Sequence, residues 1–238
     1  MKILIGIQAR TNSTRLPNKV LKRINGITII DNVINSCHKS SLYLNRFSAK
    51  TNIKAEVCVV IPKDDNIKNH LKSRKEVAIY EGDETDLISR YKVAMDATSA
   101  DYLVRITSDC FLLPPFLITK TVNTAIKNNY NFVTNAHPKY RTFFDGADVE
   151  MCDKQTFYWL DGIAKEARYR EHVFSYICEK MPTSLSIGHI FNYLDLSALK
   201  LSIDTEKDLE LVTKQYTSIE EKKLNWEVVH GKHTCHMF

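Results

Sequence analysis

Acidic residues are absent from the first thirty positions of the chain, where six lysines and arginines occur, and the first acid is Asp31. A solvated helix face usually mixes charges of both signs, so a stretch with cations alone indicates a more specific use. Arg10, Arg15 and Lys19 lie in QARTNSTRLPNK, residues 8–19, which follows the apolar run ILIGI. Composition alone leaves two interpretations open, a phosphate-binding loop and an ordinary solvated loop.

Glycine is scarce, with seven residues in a chain of 238, and neither common glycine-rich phosphate motif is present. The pattern GxxxxGK followed by Ser or Thr does not occur, and neither does GxGxxG. These absences exclude a P-loop and a dinucleotide fingerprint. A phosphate group bound by residues 8–19 would therefore depend on forked bonds from arginine and on the mobile charge of lysine.

Long apolar runs, an N-terminal secretion signal and CxxC pairs are also missing. We therefore expect a cytoplasmic protein that does not span a membrane, with its six cysteines reduced. The net charge of +5 is modest and the basic residues form no long stripe, which argues against nucleic acid as a partner. In the tail, residues 225–238, one cluster has the composition of a metal site, although a frayed terminus is the simpler interpretation; it contains His230, His233, Cys235 and His236.

Short apolar runs alternate with segments of helical periodicity through the first 136 residues. Continuous apolar strands that alternate with helices predict an α/β fold, with a mostly parallel central sheet covered on both faces. We predict strands at residues 2–8, 55–61, 76–80, 101–107 and 131–136, and helices at 27–40, 64–74, 83–99 and 114–129. Residues 42–54 are polar and predict a surface loop.

From residue 137 to residue 198 the pattern loosens and predicts a small mixed-β extension within a single domain spanning 1–238. Strands are expected at residues 144–152 and 183–190, and helices at 154–167 and 169–180. Residues 199–204, LKLSID, predict a returning strand, and residues 205–216 a closing helix with Thr205 as its N-cap.

Two acids are predicted to follow strands, Asp109 in RITSDC and Asp204 in LSIDTEKDL. Ligands of open α/β sheets bind at the carboxyl ends of the strands. Two such carboxylates facing a basic phosphate loop suit Mg²⁺, which prefers a few carboxylate oxygens together with phosphate and water. By spacing alone, Asp204 is equally well explained as a cap of the following helix.

Six ordered segments resemble the cytidylyltransferases that activate sugar acids, a family that includes CMP-Kdo and CMP-sialic acid synthetases. Residues 8–19 resemble the opening motif (P/Q)-A-R-x-x-S-x-R-L-P-x-K, and the likeness is greatest to the SpsF-like branch. The other segments are YEGDETDLISRY, VRITSDCFLLPP, TNAHPKYRTFFDGADVEM, YREHVFSYI and LSIDTEKDLELV. The resemblance implies a Rossmann-like, GT-A-like nucleotidyltransferase fold.

The resemblance also implies a role for each matched residue. The catalytic residues would be Arg10, Lys19 and Asp109, with Mg²⁺ held by Asp109 and Asp204. The nucleotide CTP would contact Gln8, Ala9, Arg10, Ser13, Arg15, Lys19, Gly82, Asp86 and Arg90. The acceptor would lie near Asp145, Asp148, Glu150, Arg170, Glu171 and His172. The extension at 137–198 would bind the acceptor and form a homodimer.

Three residues depart from the family pattern without removing a charge. Asn18 replaces a glycine, Phe111 replaces the proline after Asp109-Cys110, and Phe144 replaces the proline before Asp145. We expect these changes to affect loop shape and acceptor fit rather than chemistry. Asn tolerates the positive φ that glycine adopts freely.

The implied activity is Mg²⁺-dependent transfer of CMP from CTP to an acidic sugar or related small anionic acceptor, with release of pyrophosphate, for surface polysaccharide or glycoconjugate synthesis. A nucleotide-sugar glycosyltransferase is one alternative, but such enzymes typically carry Asp-x-Asp, and TSDC has a single Asp. A non-catalytic nucleotide-binding module is the other, and the retained cations and acids argue against it. His172 is open to a general-base or a structural interpretation.

Overall fold

The computed structural model describes residues 1–46 and 52–221, so the histidine- and cysteine-containing tail lies outside the described residues. Nine strands are assigned within this part of the chain: β1 Lys2–Gln8, β2 Arg23–Ile24, β3 Ile27–Thr28, β4 Lys54–Pro62, β5 Ala78–Gly82, β6 Tyr102–Thr107, β7 Phe132–Thr134, β8 Glu150–Asp153 and β9 Ile187–His189. The helices are α1 Ile29–Arg46, α2 Ile67–Leu71, α3 Leu87–Thr98, α4 Pro115–Asn128, α5 Lys154–Ile163, α6 Ala167–Glu171, α7 Ser175–Lys180 and α8 Glu206–Glu221.

Seven strands form one sheet in the order β5-β4-β1-β6-β8-β7-β9. Strand β1 lies between β4 and β6 and pairs in parallel with both. The α/β fold with a mostly parallel central sheet is therefore confirmed. Strand β8 runs antiparallel to β6 and β7, while β9 pairs in parallel with β7, so the extension's strands continue the same sheet.

The two faces of the sheet are covered by different helices, as the continuous apolar strands require. On β1, Ile3, Ile5 and Ile7 face a core built with α1 and α4. Leu4 points to the opposite face, where it packs in a core that includes Tyr91 of α3. Side chains that alternate across a strand thus reach both cores, and all of these β1 residues are at most 1% exposed.

Four local expectations were wrong. The strand expected at 144–152 is confined to Glu150–Asp153. Helix α1 continues to Arg46, so it occupies the beginning of the expected 42–54 loop. Residues 169–180 form two short helices, α6 and α7, rather than one. Residues 199–204 are not a strand, and their pairing is a single isolated bridge between Asp145 and Lys200. The apolar alternation of this last segment reflects burial of Leu201 and Ile203 against the core without a hydrogen-bonded ladder.

No helix among residues 1–46 and 52–221 combines the length and the apolar character needed to cross a membrane.

The basic loop leaves β1 at Gln8 and ends in a short 3₁₀ helix, Lys19–Leu21. Asn18 precedes this helix with φ of 54°, in the left-handed region. The Asn that replaces the family's glycine thus adopts the conformation for which glycine is usually used. The loop turn is retained because Asn is among the residues that tolerate this region.

Replacing Asn18 tests this backbone requirement. Asn18→Gly should change the free energy of unfolding by less than ~0.5 kcal/mol, whereas Asn18→Val should lower it by ~1–3 kcal/mol because a β-branched residue is strained at positive φ. Asn66 is also exposed and lacks a side-chain cap bond, but its φ is −58°. Urea unfolding should therefore show a smaller loss for Asn66→Val. Equal losses at both positions would show that the turn imposes no conformational demand.

Candidate active site

A cavity of about 430 Å³ opens at the carboxyl ends of β1 and β6. Eleven residues predicted from the sequence line it: Gln8, Ala9, Arg10, Ser13, Arg15, Lys19, Arg90, Asp109, Glu171, His172 and Asp204. The fold thus brings residues from distant parts of the chain to the sheet edge where α/β proteins bind ligands. The lining residues that sequence reasoning missed are Asn12, Thr14, Val20, Glu84, Thr85, Leu87, Thr107 and Ser108.

Lys19 joins the two acids that were predicted to bind metal. Its Nζ donates to Asp109 Oδ2 and to Asp204 Oδ1, each at 3.1 Å. The lysine side chain is only 13% exposed, so the contact is partly shielded from water. Two carboxylates separated by nearly a hundred residues therefore converge on one positive charge.

Further cations surround Asp204. Arg15 Nη2 lies 3.1 Å from Oδ1, and Lys200 Nζ lies 3.4 Å from Oδ2. Burial raises the pKa of this carboxyl, but Lys19, Lys200 and Arg15 together outweigh burial and lower the pKa below its ordinary value. The group is consequently an anion at neutral pH, as a ligand for a cation must be.

Asp204 is not the cap of α8. The Asp208 amide donates to Thr205 Oγ1 at 3.3 Å, so Thr205 is the N-cap, as predicted. The Asp208 carboxylate in return accepts from the backbone amides of Asp204 and Thr205 at 3.0 and 2.9 Å. This reciprocal arrangement fixes the start of the helix and leaves the Asp204 side chain directed at the cavity.

The basic loop is held in place by an acid that follows β4. Thr11 donates from its amide and its hydroxyl to the two oxygens of Asp65, at 2.9 and 2.7 Å. The Thr11 carbonyl in turn accepts from the amides of Ser13 and Asn18. Neither Thr11 nor Asp65 was singled out in the sequence, because their contact joins positions that are distant along the chain.

The segment YEGDETDLISRY shapes one wall of the cavity. Arg90 is 3% exposed and donates to the carbonyls of Asp83 and Glu84 at 2.8 and 2.6 Å. A Cβ on Gly82 would lie 3.1 Å from the Arg90 Cα, so glycine permits the close packing of β5 on α3. Asp86 caps α3 by accepting from the Ser89 amide at 2.8 Å. Gly82 and Asp86 therefore support the wall without lining it.

The expected acceptor residues divide into two groups. Glu171 and His172 line the cavity, and Glu171 lies 3.6 Å from Arg10 across it. Arg170 does not line it, because its guanidinium is paired with Asp86 at 2.7 Å and with Asp161 at 2.8 Å. These ion pairs attach α6 to α3 and α5, which sets the position of the adjoining Glu171 and His172.

The other three acids of the acceptor set also lie outside the cavity lining. Asp148 accepts two bonds from Arg141, at 2.7 and 2.9 Å, and burial raises its pKa to about 6 despite that partner. Glu150 pairs with Arg105, and Arg105 Nε donates to Gln8 Oε1 at 2.8 Å. Asp145 accepts from the Ser202 hydroxyl at 2.9 Å. Each of these acids is thus paired with a protein side chain and does not line the cavity.

His172 and Cys110 differ in their relation to the cavity. His172 lines the cavity, is exposed to solvent, and makes no side-chain hydrogen bond within the part of the chain that the structure describes. Cys110 is buried, and burial raises the pKa of its thiol far above the usual range. The thiol thus remains protonated at neutral pH, which argues against a role for Cys110 as a nucleophile.

A family model described as cytidylyltransferase matches residues 4–229. The chain belongs to the cytidylyltransferase family. It is 34% identical over 213 residues to an uncharacterised protein of Methanocaldococcus jannaschii, covering 89% of this chain and 82% of that protein. It is 24% identical over 225 residues to the spore coat polysaccharide biosynthesis protein SpsF of Bacillus subtilis, covering 92% and 88% of the two chains.

Solved structures agree with this assignment. A cytidylyltransferase from Leptospira borgpetersenii superposes with a TM-score of 0.79 at 26% identity, covering 99% of this chain and all of that one. A CMP:2-keto-3-deoxy-manno-octonic acid synthetase complexed with CTP shares the fold, with a TM-score of 0.66, 16% identity and coverage of 92% and 99%. The resemblance to SpsF-like nucleotidyltransferases is thereby confirmed.

The cytidylyltransferase site suits a divalent cation that arrives with phosphate. No group of three or more His, Cys, Asp or Glu side chains with the spacing of a metal site occurs in the described part of the chain. Two carboxylates alone are too few for a protein-only cage, but Mg²⁺ commonly binds one or two carboxylates together with substrate phosphates. The convergence of Asp109 and Asp204 on the Lys19 ammonium shows that a cation fits between them.

Proposed function

We propose that this cytidylyltransferase transfers CMP from CTP to a small anionic acceptor in the presence of Mg²⁺, with release of pyrophosphate. The observation that carries the proposal is the contact of Lys19 with both Asp109 and Asp204 inside a cavity lined by Arg10 and Arg15. This arrangement offers cations for a triphosphate and two carboxylates for a metal. Membership of the cytidylyltransferase family supports cytidine as the base.

In the proposed reaction, an acceptor oxygen forms a bond to the α-phosphorus of CTP, and the bond between the α-phosphorus and the bridging oxygen breaks. Pyrophosphate leaves with that bond's electron pair. Arg10, Arg15 and Lys19 neutralise the charge that grows on the leaving group, and the cavity holds the two reactants in line. Asp109 and Asp204 would hold Mg²⁺, which supplies Lewis-acid stabilisation of phosphate charge when bound.

The acceptor-side assignment rests on Glu171 and His172. Both line the cavity, and α6 is fixed behind them by the ion pairs of Arg170. The position of His172 in the cavity lining supports contact with the acceptor, where its ring would take the proton that the acceptor hydroxyl releases. Similarity to a spore coat polysaccharide biosynthesis protein supports an acidic sugar as the acceptor class and surface polysaccharide as the destination of the product.

The homodimer that the family resemblance implies for the extension at 137–198 remains a prediction.

Nucleotide choice is tested by thermal unfolding with Mg²⁺ and CTP, UTP, ATP or GTP, each at the same concentration. Selective binding of CTP should stabilise the folded state by mass action, by ~2.7 kcal/mol at a hundred times its Kd, and the other three should shift Tm less. A pyrophosphate-release assay with a panel of sugar acids should then show turnover with CTP. Equal shifts with all four nucleotides would contradict the cytidine assignment.

Replacing the two acids tests their joint role. Asp109→Asn and Asp204→Asn should each lower kcat by at least ~100-fold, because each removes part of one charge-stabilising site. The double variant should be hardly worse than either single one, since groups that act as a unit are not additive. Asp64→Asn is the control, because Asp64 is exposed and does not line the cavity. A nearly active Asp204→Asn enzyme would contradict the shared site.

A further inference from the structure

The backbone that carries Asp204 lacks the support of a strand. Residues 199–204 are attached through single hydrogen bonds instead. The Asp145 amide donates to the Leu199 carbonyl at 2.9 Å, and the Leu201 amide donates to the Asp145 carbonyl at 2.7 Å. The Ile203 amide donates to the Asp109 carbonyl at 3.1 Å. Asp145 therefore provides two of the three contacts that align this segment with Asp109.

Gly146 allows the two backbones to approach closely. Its φ is 110°, a conformation that residues with a side chain rarely adopt. A Cβ at this position would lie 2.6 Å from the Leu201 carbonyl carbon and 2.6 Å from the Ser202 nitrogen. Both are backbone atoms, so a side chain at position 146 would have to push residues 201 and 202 away from the sheet.

The Asp145 side chain adds a third attachment. Its Oδ2 accepts from the Ser202 hydroxyl at 2.9 Å, and its Oδ1 lies 3.7 Å from Arg141. The carboxylate thus faces the segment that ends in Asp204, and it does not line the cavity. The family resemblance places Asp145 on the acceptor side, whereas its contacts connect it with the segment that carries Asp204, one of the two expected metal ligands.

We propose that Asp145 and Gly146 are positioning residues for Asp204: they hold residues 199–204 against the sheet so that the second carboxylate reaches the cation shared with Asp109. This inference rests on the proposed function, because it assumes that Asp204 binds a metal together with CTP. Its signature is a loss of the metal-dependent part of CTP affinity, while the affinity for metal-free CTP is kept.

The first test compares Gly146→Ala with Gly162→Ala, since a Cβ on Gly162 would meet nothing within 4 Å. Isothermal titration measures the Kd of CTP with Mn²⁺ and, separately, with EDTA. The ratio of the Kd with EDTA to the Kd with Mn²⁺ measures the gain in CTP affinity that the metal confers. In Gly146→Ala this ratio should be at least ~tenfold smaller than in the wild type, and the Kd with EDTA should change by less than ~twofold. Gly162→Ala should match the wild type. A full Mn²⁺ gain in folded Gly146→Ala would overturn the proposal.

The second test compares Asp145→Asn with Asp145→Ala, and it remains informative where Gly146→Ala fails to fold. Asn keeps a hydrogen bond to the Ser202 hydroxyl, which can donate or accept. The gain in CTP affinity that Mn²⁺ confers should therefore stay within ~threefold of the wild-type gain in Asp145→Asn, whereas it should fall by ~three- to tenfold in Asp145→Ala. Because Asn before Gly deamidates readily, peptide mass analysis confirms that the new amide is intact at the time of assay.

Asp204→Asn separates failure of this inference from failure of the proposed function. If Asp204→Asn loses the Mn²⁺ gain and Asp145→Asn loses it equally, the Asp145 charge acts directly and the positioning role is overturned. If Asp204→Asn keeps the full gain, Asp204 does not bind the metal, and both the shared-cation site and the positioning role are overturned. Loss in Asp204→Asn, Asp145→Ala and Gly146→Ala, with retention in Asp145→Asn, supports both.

Discussion

The contact of Lys19 with Asp109 and Asp204 is the constraint on which the site depends. Two ionised carboxylates repel each other when they are close, so their convergence requires a cation between them. Without nucleotide this charge is the Lys19 ammonium, whose Nζ lies 3.1 Å from an oxygen of each carboxylate. In the proposed complex the triphosphate gives Lys19 another anion to contact, and the carboxylates become available to a metal. In this proposal one lysine neutralises the two acids in the free enzyme and would neutralise phosphate in the complex.

The fold supplies each member of this group from a different kind of structure. Asp109 follows the central strand β6, and Lys19 lies in a 3₁₀ helix after a loop that is tied to Asp65. Asp204 lies on an irregular segment aligned by Asp145. Only the first of these is placed by the sheet itself. The other two rely on a small number of side-chain and backbone contacts, so the positions of Lys19 and Asp204 depend on those contacts.

The sequence predicted what depends on periodicity and missed what depends on packing between distant segments. Apolar runs that alternate with helical segments predicted an α/β sheet, although they did not predict the order of its strands. The acid-free stretch at the start of the chain predicted the loop that lines one wall of the cavity. The alternation of Leu201 and Ile203 resembled a strand, but burial alone produced it. Likewise, Arg170 reads as a ligand-binding residue in REHV, yet its ion pairs with Asp86 and Asp161 could be found only in three dimensions.

The central claim, that Lys19 and a divalent cation share the same two carboxylates, is tested most directly by Mn²⁺ affinity without nucleotide. The signal of free Mn²⁺ in electron paramagnetic resonance gives the Kd of Mn²⁺ for the wild type and for Lys19→Met. Methionine has a side chain of similar length to lysine but carries no charge. The account predicts that Lys19→Met binds Mn²⁺ at least ~tenfold more tightly, because Asp109 and Asp204 lose the competing cation that contacts both of them. Unchanged or weaker Mn²⁺ binding in Lys19→Met would contradict it.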